Sequence, residues 1–208
     1  MSIKNYDDLN LLELDTLREI GSIGSGNAAT ALSSLLDKEV RITLPEVRIM
    51  EYNEAITWIG GPEVITAGVV VRLSGDMSGI MLGVLQMDFV NVLLTSMMGK
   101  SIDCYEGLNE IDFSALTEAG NIMISSFITA FTGLADMTID LTVPSFTVDM
   151  QGAILMVPMA EYGGATNYIM TIGSEFICDD KVVPCRLLMS PDIRSLNFLL
   201  RKLGVTDE

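Results

Sequence analysis

The stretch EIGSIGSGNAATAL, residues 19–32, holds Gly21, Gly24 and Gly26 close together, and the fold turns on whether it is a loop or a helix. A phosphate-binding loop of the Walker type ends in Gly-Lys-Ser/Thr, whereas Gly26 is followed by Asn27. A dinucleotide-binding turn comes after a β-branched strand. The residues before this stretch are LLELDTLREI, 11–20, made largely of helix formers. At about 100° per residue, with Glu19 at zero, Leu17, Ile20, Gly24, Ala28, Ala31 and Leu35 gather between roughly 100° and 180°. Asp15, Glu19 and Ser22 gather on the opposite side, within about 60° of one another. The spacing predicts a long amphipathic helix, polar outward and small-residue inward. A helical glycine costs about 1 kcal/mol against alanine, so these glycines are expected where the helix packs closely or where a partner approaches closely.

The same face recurs 99 residues later. Asp15, Glu19 and Ser22 become Ser114, Glu118 and Asn121; Gly21 becomes Gly120, Ile23 becomes Ile122, Leu35 becomes Leu134 and Pro45 becomes Pro144. On the second helix Leu116, Ala119, Met123, Phe127, Ala130 and Leu134 form the expected buried stripe. The segments after the two helices also run in parallel. EVRITLPEVRIMEY (39–52) and TIDLTVPSFTVDM (138–150) alternate as strands, each broken by a proline that marks an edge or a bulge. NEAITWIG and GAILMVPMAEYG then read as short helical or irregular stretches. VITAGVVVRLS with SGIMLGVLQM, and TNYIMTIGSEFI with KVVPCRLLMS, read as hairpins closed by SGDMSG and CDDK. Each copy ends in a helix, DFVNVLLTSMMG from Asp88 and PDIRSLNFLLRKLG with Pro191 at its start.

Two halves of this kind, about 9–99 and 108–204, each leave apolar surface uncovered, and residues 100–112 join them. The expected fold over residues 1–208 is therefore α/β, of the α+β type. It is one internally duplicated pseudo-twofold domain, with a shared, mostly antiparallel sheet and the two long helices together on one side.

Composition narrows the function. Twenty-eight acids stand against 12 bases, a net charge of −16, so there is no basic stripe for nucleic acid. Histidine is absent, which removes the commonest general base and metal ligand. The three cysteines, Cys104, Cys178 and Cys185, have no CxxC spacing. No resident metal is expected. The 14 methionines, including Met97, Met98, Met156 and Met159, read as core. No run approaches the length of a membrane span, and MSIKNYDDLN has no apolar signal core, so no membrane insertion and a cytoplasmic location are expected.

The repeated pattern is Asp/Ser-x3-Glu-x2-Asn-x22-Pro, met fully by Ser114, Glu118, Asn121 and Pro144. It resembles the CheC/CheX/FliY family of chemotaxis phosphatases, which act on the phosphorylated response regulator CheY, and the likeness spans nearly the whole chain. The resemblance implies that Glu118 anchors the regulator and Asn121 orients the attacking water, with Mg²⁺ supplied by the regulator. It also implies Glu19 as part of a second, weakened site, because Ser22 stands where the family has asparagine. Asp15, Ser114, Ile23 and Ile122 are the candidate partner contacts. A second partner, the receptor deamidase CheD, is implied too. The alternative is a non-catalytic scaffold that binds phosphorylated CheY and CheD.

Overall fold

The computed structural model describes residues 3, 5–43, 45–162, 168–178 and 181–206. Its longest helices are α1 (Leu11–Leu36) and α4 (Glu110–Ala135), each of 26 residues and again 99 positions apart. Their ends explain the match. Asn10 and Asn109 cap the N-termini, and in each case an acid at the third helical position, Glu13 or Asp112, accepts from the cap backbone. These reciprocal bonds satisfy amides that the first turn leaves unpaired. Both helices stop at an aspartate in the left-handed conformation, Asp37 (φ 50°) and Asp136 (φ 47°).

After α1 come β1 (Val40–Ile42), β2 (Glu46–Glu51), α2 (Tyr52–Ile59), β3 (Ile65–Gly75), β4 (Gly79–Gln86) and α3 (Met87–Met98). After α4 come β5 (Ile139–Leu141), β6 (Ser145–Met150), α5 (Gln151–Tyr162), β7 (Tyr168–Cys178), β8 (Lys181–Pro191) and α6 (Ile193–Lys202). Pro45 and Pro144 separate β1 from β2 and β5 from β6, at the two margins of the sheet. Proline lacks the amide that a central strand would use, so these margins are where it fits.

All described pairings are antiparallel, in the order β1-β7-β8-β4-β3-β5, with β2 also on β7 and β6 also on β3. The halves are thus interleaved. β1 and β2 of the first half pair with β7 of the second, while β5 and β6 pair with β3 of the first. The hairpins meet at the centre through β4 and β8, with Leu82 opposite Leu188. Each half depends on the other for its marginal strands.

Both sheet faces are covered, which is why β3, β4, β7 and β8 read as continuous apolar runs. Val69, Val71, Met81 and Met189 face the layer formed by α1, α3, α4 and α6. Val70, Leu82, Ile169 and Leu188 face α2 and α5. The two long helices lie together on one side, as expected. They cross where Gly24 meets Phe127: a Cβ on Gly24 would stand 2.6 Å from that ring. The opening glycines belong to a helix.

Four expectations need correction. Leu134 is 48 % exposed, although its angle lies in the buried sector, because the last turn of α4 turns Ala135 (2 % exposed) to the core in its place; a Cβ at adjacent Gly133 would touch nothing. Ala31 and Leu35, in the corresponding last turns of α1, are half-buried. Met98 and Met156 are exposed on the outer sides of α3 and α5, while Met97 and Met159 pack against the core. Pro191 closes β8 instead of opening a helix, and Asp192 caps α6 by accepting from the Ser195 amide. The SGDMSG hairpin joins β3 to β4; in CDDK, Asp179 and Asp180 lie outside the described residues.

Candidate functional site

The second face is built on the middle of α4. Glu118 and Ser114 are exposed, and Asn121 and Ile122 are half-buried. Glu118 and Asn121, three residues apart, put their Cβ atoms about 5–6 Å from each other on one side of the helix. Gly120 lies on the opposite side, where a Cβ would stand 2.4 Å from Val69 of β3. This close seat fixes the helix against the sheet and turns the Glu-x-x-Asn pair outward. Asn121 sits at the margin of the buried sector, half-buried and open to solvent on its outer side. Among the described residues, neither the Glu118 carboxylate nor the Asn121 amide makes a side-chain hydrogen bond or ion pair.

The first face repeats the placement with different chemistry. Glu19 is exposed, Ser22 and Ile23 are half-buried, and Gly21 sits where a Cβ would meet Val47 of β2 at 2.7 Å. Val47 opposes Ile172, and Val69 opposes Phe146, so the two glycines rest on corresponding pairs of strand residues. Asp15 accepts from Arg18 at 2.7 Å, both side chains being largely exposed. In the second copy Thr117 replaces Arg18, and its hydroxyl donates to the Phe113 carbonyl. Ser114 has no cation beside it in the helix.

Next to Glu118 is an open depression of about 390 Å³, walled by Phe113, Ser114, Thr117, Glu118 and Phe146. Phe113 and Phe146 meet edge to face, their centroids 5.4 Å apart. A corresponding depression on the first half is lined by Leu14, Arg18, Val47 and Arg48 among others. Sequence reasoning misses the aromatic pair because Phe113 and Phe146 lie 33 positions apart and meet only through the α4–β6 packing. It also misses the capping acids, although Asn-x-x-Glu and Asn-x-x-Asp do stand at matched positions.

The N-terminus of α4 carries one further constraint. The fully buried Asp112 carboxylate accepts from the Asn109 amide at 2.8 Å and pairs with the Lys100 ammonium. Lys100 also donates to the Gly107 carbonyl, so the junction between the repeats is tied to this helix end. Burial pushes the Asp112 carboxyl up, but the Lys100 and Asn109 hydrogen bonds and the Lys100 charge outweigh it, and its pKa lies below the usual value.

No cysteine stands on either face. Cys104 is exposed in the junction, Cys178 is buried, and burial pushes the Cys185 thiol up to about 12 against the opposing charge of Arg186. Among the described residues, no three acidic or thiol groups cluster as metal ligands, and no helix is long and apolar enough to cross a membrane.

A family model described as CheC-like matches residues 12–49 and 113–148, which are the two long helices with their marginal strands. The chain is 26 % identical over 198 residues to the CheY-P phosphatase CheC of Bacillus subtilis, covering 93 % of this chain and 95 % of that protein. It is 33 % identical over 145 residues to the flagellar motor switch phosphatase FliY of the same organism, covering 68 % of this chain and 37 % of that protein. The crystal structure of Thermotoga maritima FliY superposes with a TM-score of 0.74 at 25 % identity, covering 94 % of this chain and 98 % of that one.

Proposed function

The chain belongs to the CheC-like family, and from that premise we propose that it is a cytoplasmic protein phosphatase that hydrolyses the aspartyl phosphate of the response regulator CheY through the Glu118–Asn121 face. The observation that carries this reading is the pair itself: an exposed carboxylate and a half-buried amide on one side of a rigid helix, both without partners among the described residues.

An aspartyl phosphate is an activated acyl phosphate. A water attacks phosphorus in line, the P–O bond to the acyl oxygen breaks, and the aspartate carboxylate leaves as inorganic phosphate forms. The Mg²⁺ and the lysine belong to the regulator. The residues of this chain contribute position. Asn121 accepts a hydrogen bond from the water and donates one to a phosphoryl oxygen, which only an amide does with separated atoms. Glu118, one turn earlier, pairs with the regulator's lysine and fixes the helix in register. Gly120 on Val69 keeps that helix from yielding as it docks. On the first face Glu19 repeats the anchor, but the Ser22 hydroxyl is too short to replace the amide, so this face binds the regulator and turns it over slowly. Asp15, Ser114, Ile23 and Ile122 flank the two sites as contacts.

The same family premise supports CheD as a second partner, bound without chemistry; titration of CheD into the purified chain tests it. Turnover separates the phosphatase from a scaffold. At one molecule of this chain per 50 of phosphorylated regulator, on the order of what steady-state work uses, a phosphatase releases all the phosphate. A scaffold releases none beyond the regulator's own rate.

A further inference from the structure

We propose that Phe113 and Phe146 form an apolar docking shelf for the phosphorylated regulator beside Glu118, and that this shelf makes the second face its preferred seat. The proposal rests on the functional reading above. Phe113 is 37 % exposed, although it is a large apolar side chain at the start of a helix whose inner side is well buried. Phe113 and Phe146 wall the depression that Glu118 also walls. The shelf is therefore continuous with the catalytic face, and a regulator held by Glu118 must cover it.

The shelf is also rigid. Phe146 is set by the β6 register, opposite Val69, and Val69 is the residue on which Gly120 rests. The edge-to-face contact then fixes Phe113 against Phe146. Aromatic anchors with few rotatable bonds carry binding energy at low entropic cost, and such anchors dominate interfaces. The first face lacks this device. Shifting by the repeat replaces Phe113 by Leu14 and Phe146 by Val47, and Val47 is buried beneath Gly21. Arg18, paired with Asp15, takes the place of Thr117.

The test uses the full chain, phosphorylated regulator for steady-state kinetics, and beryllofluoride-activated regulator for binding. Phe113→Ala should raise KM about ten-fold and weaken binding of the activated regulator by a similar factor, with kcat changed less than about two-fold. Phe113→Trp should restore most of the loss, and Leu12→Ser with Leu14→Ala on the first face should raise KM less than about two-fold. Unchanged KM and binding in Phe113→Ala overturn the shelf, as does a fall in kcat at constant KM, which would make this residue a support of the helix. If Phe113→Ala melts early, Phe113→Leu at constant melting temperature decides by the same two readouts. Absence of turnover by the unaltered chain would overturn the phosphatase reading instead, and the binding arm alone would then decide the shelf.

Discussion

Replacing Gly24 by alanine, with Gly26→Ala as its partner experiment, tests how the two long helices meet. Both positions lie inside α1, so each substitution removes the same backbone entropy penalty and should gain about 1 kcal/mol from propensity alone. At Gly26 a Cβ meets nothing within 4 Å, and that gain should appear undiminished. At Gly24 the new Cβ would stand 2.6, 2.7 and 3.0 Å from three atoms of the Phe127 ring. That ring is fully buried and backed by Phe131, centroid to centroid 5.4 Å, so it cannot retreat. Overpacking of a tight core costs about 1–3 kcal/mol, and three simultaneous overlaps place this site at the upper end. Gly24→Ala should therefore be about 1–2 kcal/mol less stable than the parent, and Gly26→Ala about 1 kcal/mol more stable. In urea titrations the midpoints should move in opposite directions with unchanged slope, and melting temperatures should separate by roughly 4–12 °C. Equal stabilisation by both substitutions would refute the helix crossing at Gly24.

Three further outcomes are expected. Ser22→Asn in an Asn121→Ala background should raise phosphate release several-fold above that background, because the amide returns one turn after Glu19; no rise, with no regulator bound at the first face, would make this copy structural. The lowered pKa of Asp112 means that its contribution to stability is complete above the unfolded value near 3.9 and is lost as pH falls through the folded value. Urea midpoints measured from pH 7 down to 3 should show that sign. Lys100→Met leaves a buried carboxylate without its cation, so it should cost about 1–3 kcal/mol at pH 7 and, by raising the folded pKa of Asp112, shrink or invert its acid-induced loss; an unchanged profile would refute the link between the repeat junction and α4.

Much of this architecture is legible in the sequence because its signals are local and occur twice. The angular stripe that contains Leu116, Ala119, Met123 and Phe127 is buried as read. Pro45 and Pro144 mark the sheet margins because an absent amide has the same consequence in any context. The features that escape depend on where the chain goes next. Nothing in EVRIMEY says that β2 pairs with β7, about 120 residues downstream, rather than with its own half; alternation fixes a face, not a partner. Leu134 has the right angle, but the last turn of α4 buries Ala135 instead, so periodicity overstates the burial of Leu134. The Glu118–Asn121 pair is readable as a pattern, whereas Phe113 and Phe146 become a pair only once α4 lies on β6.

The most direct measurement is steady-state phosphate release from phosphorylated CheY by the double variant Glu118→Ala, Asn121→Ala, alongside its melting curve. Both side chains face outward, and exposed substitutions of this kind usually change stability by less than about 0.5 kcal/mol, so the melting temperature should stay within about 2 °C of the parent. On the proposed roles of Asn121 in orienting water and Glu118 in anchoring the regulator, losing both should lower kcat/KM by at least about 100-fold. A double variant that folds normally and still releases phosphate at the parent rate would contradict the assignment of catalysis to this face.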